Sequence, residues 1–254
     1  MKMNIFDLTN TFTIVTGGAR GIGRKGAEAF IAAGSNVIIA DIDMDAAQKT
    51  VKELKTADSS VIAIKTDVAD PKSVHAMVRQ VLDCFGKIDI LFNNAGICIN
   101  EPAETMSFAS WKRVIDINLT GIFLVAQEVG KVMIRQKHGS IINTASMSAH
   151  IVNTPQPQCG YNASKAGVIQ LTKSLAVEWA PYHVRVNSIS PGYIATEMTK
   201  KAPADWKDEW IQKGVYKRMG DPKEIQSALL YFASSASSFT TGADLVIDGG
   251  FTCI

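Results

Sequence analysis

Tyr161 and Lys165 stand four residues apart in the stretch Tyr161-Asn162-Ala163-Ser164-Lys165. On a helix, positions i and i+4 share one face a turn apart, so this phenol and this ammonium can point into the same cleft. A phenol ordinarily ionises near pH ~10, and a cation beside the phenolate lowers that value, which makes the pair a proton donor and acceptor usable near neutrality. The spacing by itself is common, and without context the two are a surface tyrosine and lysine one turn apart. Other parts of the chain must supply something for the pair to act on.

A second candidate lies near the start of the sequence. Thr16-Gly17-Gly18-Ala19-Arg20-Gly21-Ile22-Gly23 follows a short apolar run and opens a helical pattern. Glycines such as Gly17, Gly21 and Gly23 permit a tight turn and a close approach of backbone to a pyrophosphate, and the first turn of a helix offers unpaired N–H groups to the anion. The next apolar run ends at Asp41, 18 residues past Gly23. A carboxylate there can accept hydrogen bonds from adenosine ribose hydroxyls and repel a 2′-phosphate, which favours NAD over NADP. Arg20 pulls the other way, as a possible partner of a 2′-phosphate; as a loop cation or pyrophosphate contact it is compatible with NAD, and Asp41 tips the choice to NAD with NADP as the alternative.

The elements that would position these groups alternate in period. Strand patterns fall at 12–16, 36–40, 61–66, 88–92, 140–143, 184–190 and 244–247, and helical patterns at 21–33, 43–56, 71–85, 107–136, from Tyr161 to Trp179, and at 222–235. Such alternation predicts an α/β fold: a Rossmann-type doubly wound parallel sheet of about seven strands with helices on both faces. Ligands in such sheets bind beyond the carboxyl ends of the strands. No linker, low-complexity run or repeat divides the 254 residues, so residues 1–254 read as a single domain.

Composition excludes other classes. With 46% hydrophobic and 20% charged residues the chain has the balance of a globular protein, and its net charge of +2 comes from interspersed signs. There is no basic stripe for nucleic acid or anionic lipid. The start, MKMNIFDLTNTF, lacks the apolar core of a signal peptide, and no uninterrupted apolar run reaches the ~18 residues of a membrane span, so a cytoplasmic protein is expected. Cys84, Cys98, Cys159 and Cys253 are scattered without CxxC spacing, and read as buried or idle thiols. His75, His138, His150 and His183 form no ligand pattern, so no metal is expected.

Taken together, the motifs resemble those of the short-chain dehydrogenase/reductase family. The family's TGxxxGxG is matched by Thr16 to Gly23, its NNAG by Asn93-Asn94-Ala95-Gly96, its helical asparagine by Asn118-Leu119-Thr120-Gly121, its serine by Asn143-Thr144-Ala145-Ser146, its YxxxK by Tyr161 and Lys165, and its PG turn by Pro191-Gly192. The resemblance implies an NAD(P)-dependent oxidoreductase in which Tyr161 is the general acid/base. Lys165 would lower its pKa and bind the nicotinamide ribose, Ser146 would hold the reacting oxygen, and Asn118 would hold a relay water. It further implies cofactor contacts at Gly17, Arg20, Gly21, Ile22, Gly23, Asp41, Asp67, Val68, Asn94, Ala95, Gly96, Pro191, Gly192, Ile194 and Thr196. Ser146 lies 15 residues before Tyr161 and Ser148 lies 13 before it. The family serine ends a strand, a register that selects Ser146 and leaves a longer loop behind it.

That loop, Ser148-Ala149-His150-Ile151-Val152-Asn153-Thr154-Pro155-Gln156-Pro157-Gln158, bears on the substrate. Polar side chains between prolines suit an alcohol with several hydroxyls. The loop resembles that of the family's sugar-alcohol and ketose dehydrogenases, which implies a polyol substrate with Ser148 and Asn153 as contacts, while His150 reads as a loop hydrogen bond. Residues 197–220, with Met198, Trp206, Trp210 and Met219 among many charges, are expected to form an amphipathic lid. Broad apolar faces on the Tyr161 helix and on the helix ending near Gln136 imply a homo-oligomer, a tetramer or dimer. Two other functions remain compatible with the sequence: an NADPH-dependent reductase of a 3-oxoacyl thioester or steroid, and a non-catalytic nucleotide sensor. The second would be expected to lack part of the set Asn118, Ser146, Tyr161 and Lys165.

Overall fold

The computed structural model describes residues 5–55 and 60–254. Seven strands form one sheet: β1 (Phe12–Thr16), β2 (Asn36–Asp41), β3 (Val61–Lys65), β4 (Ile90–Asn93), β5 (Gly139–Thr144), β6 (Val184–Pro191) and β7 (Asp244–Ile247). They are all parallel, in the order β3-β2-β1-β4-β5-β6-β7. The order reverses between β1 and β4, so the chains leaving these neighbours diverge and open a crevice at the carboxyl edge of the sheet.

Helices α1 (Gly21–Ala32), α2 (Met44–Leu54), α3 (Pro71–Phe85), α4 (Phe108–Ile115), α5 (Gly121–Gln136) and α6 (Cys159–Trp179) make most of the crossovers, followed by α7 (Glu197–Lys200), α8 (Ala204–Lys213) and α9 (Gln226–Ala233). Alternate strand residues point to opposite faces, and both faces are covered. Ile14, Ile38, Leu91 and Ile141 join a core with Val74 and Met77 of α3, Val125 and Val129 of α5, and Trp179 of α6. Their neighbours Val15, Ile39, Phe92 and Ile142 join a second core with Phe30 of α1 and Leu229 and Phe232 of α9. Every residue of β4 and β5 is buried. Boundaries follow capping chemistry: Asp70 accepts from the Lys72 N–H at 3.0 Å ahead of Pro71, and Gly86 ends α3 with φ +76.

The structure differs from the sequence expectation at several element boundaries, among them β4, which begins at Ile90 rather than at position 88. The helical pattern at 107–136 is one helix in outline only, because a π turn at Asp116–Thr120 separates α4 from α5, with the Gly121 N–H donating to the Asp116 carbonyl. The stretch Phe108–Gln136 is also long and apolar enough to cross a membrane by length and composition, although its most apolar window is 50% buried within the fold. A pattern that ignores burial cannot separate a span from a core helix of this kind. The helix expected at 222–235 begins as a 3-10 turn, Pro222–Ile225, whose start is fixed by a capping box between Asp221 and Glu224. The helix expected to reach Thr56 ends at Leu54, and Thr56 itself lies outside the described residues.

Candidate active site

Two cavities meet beyond the carboxyl ends of β1, β4 and β5. One, of about 580 Å³, is lined by Gly17, Arg20, Gly21, Asp41, Asp67, Asn94, Gly96 and Lys165 among others. The other, of about 360 Å³, is lined by Ser146, Ser148, Asn153, Tyr193 and Trp210 among others. Both volumes lie in the range of small-molecule sites. Tyr161, Thr144, Ile22 and Thr196 line both cavities, so the phenol of Tyr161 stands at their junction.

The first cavity is built around the turn after β1. Gly17 and Gly21 have φ of +62 and +54, and a Cβ on Gly23 would sit 2.2 Å from the Gly17 carbonyl oxygen, so no larger residue fits that helix start. No side chain caps the N-terminus of α1, which opens on this cavity. Asn94 braces the turn from β4, with its Nδ2 donating to the Thr16 carbonyl at 3.2 Å and its own N–H donating to Thr16 Oγ1 at 2.9 Å. These features fit the residues to a dinucleotide pyrophosphate. At the end of β2, Asp41 accepts from the Ala19 N–H through Oδ2 and from the Asp43 N–H through Oδ1, both at 3.0 Å. Arg20 is paired with Asp43 and lies 3.8 Å from Glu197, and these carboxylates, Asp43 foremost, raise its pKa. Ile22, Val68, Ala95 and Thr196 also line this cavity. Pro191, Gly192 and Ile194 line the second cavity instead, Gly23 is buried in the turn, and Asn118 lines neither. Asp67 lines the cavity and is not the cap of α3, which is Asp70.

At the junction, Tyr161 and Lys165 lie one turn apart on α6. Lys165 is 3% exposed, its Nζ donates to the Thr144 carbonyl at 2.6 Å, and it lies 5.6 Å from the centre of the Tyr161 ring. Burial pushes the Lys165 ammonium down to about 8 and the Tyr161 phenol up to about 12, the latter opposed by a hydrogen bond with Ser146. The expectation that Lys165 lowers the tyrosine is therefore not met in the protein by itself. Both groups are desolvated, which favours the neutral form of each. Ser146 is buried, and its Oγ accepts from the Ser148 N–H at 3.1 Å, which fixes the hydroxyl at the end of β5. Asn118, in the π turn, is fully buried. Its Oδ1 accepts from the Ile97 N–H and its Nδ2 donates to the Ile97 carbonyl, both at 2.8 Å, with a further bond to Ser164 Oγ at 3.2 Å.

A polar network lines the second cavity. Gln158 Nε2 lies within hydrogen-bond distance of Asn162 Oδ1 (2.9 Å), Asn153 Oδ1 (3.2 Å) and Ser148 Oγ (3.3 Å). Asn153 Nδ2 and Gln156 Nε2 both donate to the Tyr193 hydroxyl, at 3.2 and 2.9 Å. Trp210, from α8, donates its indole N–H to Gln156 Oε1 at 2.9 Å and stacks on Tyr193 with ring centres 4.2 Å apart. Segment 197–220 thus contains two helices packed over the cavity, with Trp210 buried and Trp206 in the lining. His150 bonds to Asp244 Oδ2 at 2.8 Å and stays out of both cavities.

Sequence reasoning missed Tyr193 and Cys98. Tyr193 sits between two residues assigned to the cofactor, and its neighbours come from 37 to 40 positions away. Its place directly after the PG turn is the one signal that could have flagged it. All four cysteines are free. Cys84, Cys159 and Cys253 are exposed rather than buried, and Cys98 lines the second cavity with its thiol pushed up to about 11 by burial, which keeps it neutral. Among the described residues no group of three or more His, Cys, Asp or Glu could hold a metal ion.

Comparison with known proteins agrees with this geometry. The family model described as enoyl-(acyl carrier protein) reductase matches residues 17–252. A short-chain type dehydrogenase/reductase from Mycobacterium marinum, known from its crystal structure, superimposes with a TM-score of 0.96 at 43% identity, covering 99% of each chain. A probable NADP-dependent mannitol dehydrogenase of Yarrowia lipolytica is 41% identical over 253 residues, which is 99% of this chain and 91% of that protein. A ribulose-forming D-arabinitol 2-dehydrogenase of Scheffersomyces stipitis is 40% identical over 266 residues, with 98% and 96% covered. The chain belongs to the short-chain dehydrogenase/reductase family and is an NAD(P)-dependent oxidoreductase.

Proposed function

We propose that this protein is a polyol dehydrogenase that interconverts a sugar alcohol and a ketose with NAD. The observation that carries this reading is the position of Tyr161 where the two cavities meet, with a glycine turn fitted to a pyrophosphate on one side and a network of amides and hydroxyls on the other. Bound NAD would supply the hydride acceptor and, when oxidised, a positive charge beside the phenol. Gly17, Gly21, Ile22 and the start of α1 would hold its pyrophosphate, Asp67 and Val68 its adenine, Asn94, Ala95 and Gly96 its path under the ring, and Pro191, Gly192, Ile194 and Thr196 its carboxamide.

In oxidation, Tyr161 takes the proton of the reacting hydroxyl while Ser146 donates a hydrogen bond to the same oxygen, and in reduction Tyr161 returns the proton. Lys165, steadied by the Thr144 carbonyl, binds the nicotinamide ribose and offsets charge on the phenolate once a bound cofactor adds its own. Asn118 holds the relay water that links Lys165 to solvent, with its side-chain amide fixed by Ile97 and Ser164. Ser148 and Asn153 contact the substrate, and residues 197–220 act as its lid.

The preference for NAD rests on charge. Asp43, Glu197 and Asp41 all act on the guanidinium of Arg20, so the cation that could attract a 2′-phosphate is already opposed by three carboxylates. We further propose a single-domain cytoplasmic homo-oligomer, since Phe108, Trp111, Phe123 and Val177 leave apolar surface exposed on α4, α5 and α6.

The test is the initial rate of absorbance change at ~340 nm with NAD or NADP against a panel of C3 to C6 polyols, simple secondary alcohols and a 3-hydroxyacyl ester. Rates confined to NAD and one stereochemical series of polyols are expected. Activity only with NADP(H) and the ester or a bulky ketone would replace this reading with that of an NADPH-dependent carbonyl reductase.

A further inference from the structure

The hydroxyl of Tyr193 is a hydrogen-bond donor with no acceptor among the described residues. Trp210 settles the direction of the first of the bonds around it. An indole N–H can only donate, so the Gln156 atom that meets it at 2.9 Å is the carbonyl oxygen, and the other end of that amide is the NH2 that meets Tyr193 at 2.9 Å. Asn153 adds a second donor at 3.2 Å, with its own carbonyl turned to Gln158. Both lone-pair directions of the Tyr193 oxygen are thus taken by incoming N–H groups. Among the described residues no acceptor for the Tyr193 proton lies within hydrogen-bond distance, and the residue lines the second cavity. The ring cannot swing to find one, because it is stacked on Trp210 and meets the edge of Phe251 with centres 5.3 Å apart.

We infer that Tyr193 is a specificity-determining residue that donates its hydroxyl proton to a substrate hydroxyl away from the reacting carbon. The inference rests on the polyol reading and names one donor by which a polyol would be told from a simple alcohol. Gln156 acts through it as a positioning residue, and Asn153, besides its own contact with the substrate, helps to hold the phenol so that its proton points into the cavity. A rigid donor of this kind rejects an analogue lacking the matching oxygen, because the donor is then left without a partner.

The experiment compares Tyr193→Phe with wild type on the polyol that wild type turns over best and on its single-deoxy analogues. Phenylalanine keeps the ring stacked on Trp210 and removes only the hydroxyl. For wild type, kcat/KM is expected to fall about tenfold or more on removing one particular substrate hydroxyl. Tyr193→Phe should lose a similar factor on the full polyol and almost nothing on that deoxy analogue, with NAD affinity unchanged. A loss shared equally by polyol and deoxy analogues means that the hydroxyl only braces Gln156 and Asn153, and overturns the inference. An unchanged variant overturns it as well. A wild-type protein that turns over no polyol overturns the polyol reading and this inference together, which separates the two failures.

Discussion

Replacing Lys165 by methionine should flatten the pH dependence of stability, and the size of the effect follows from the burial of the ammonium. The side chain is 3% exposed, and desolvation moves its pKa from the ordinary 10.5 down to about 8. Because each tenfold change in proton affinity is about 1.4 kcal/mol, holding this charge in the fold costs about 3 kcal/mol at neutral pH. The sign follows from the lowered value. The folded protein binds fewer protons than the unfolded chain between pH 8 and 10.5, so the destabilisation is fully present below pH 8 and is relieved as pH rises through that window. Methionine removes the charge but also the bond to the Thr144 carbonyl, a loss of about 1–3 kcal/mol that leaves the two proteins close in stability at pH 7. Between about pH 7 and 9.5, wild type should then gain about 2 kcal/mol on the variant, or roughly 4–8 °C in Tm for a chain of this size. Thermal unfolding followed by circular dichroism, on both proteins without added cofactor, measures this difference directly. Parallel curves of Tm against pH would refute the claim that Lys165 is held as a desolvated cation.

Two further outcomes are expected. Asp41→Asn, which keeps an acceptor for the Ala19 or Asp43 N–H but removes one of three carboxylates around Arg20, should raise kcat/KM with NADP relative to NAD by about tenfold, the scale of ~1–2 kcal/mol for charges near a protein surface; an unchanged ratio would make Asp41 a loop brace only. Gly23→Ala places a methyl 2.2 Å from the Gly17 carbonyl, so the turn must shift, and fluorescence titration with NADH should read at least about tenfold weaker binding; an unaltered affinity would contradict a pyrophosphate seat there.

Much of the frame was legible because parallel strands covered on both faces are written as short apolar runs. β1, α3 and β7 fall at the positions their residues predict, and the reversal between β1 and β4 brings together motifs that lie far apart in the sequence. The π turn at Asp116–Thr120 was not legible, since it adds one residue per turn without changing which residues are apolar. Helices α7 and α8 were missed because half of their positions are charged, and their burial comes from a few residues such as Trp210 meeting a loop 54 positions away. Within the site, the residue types of the motifs located Tyr161 and Lys165 where the two cavities meet, but not the ionisation of either group. Burial from every side sets that balance, and the i+4 spacing says nothing of it. Tyr193 escaped for the same reason, as its role is defined by amides supplied from another loop.

The central claim is that Tyr161 exchanges the proton of the reacting hydroxyl at the meeting point of the two cavities. Tyr161→Phe keeps the ring and removes only that proton, so single-turnover hydride transfer with the preferred polyol should fall by at least about 10²-fold while NAD affinity stays within a factor of about two. Near-normal turnover in this variant would contradict the account.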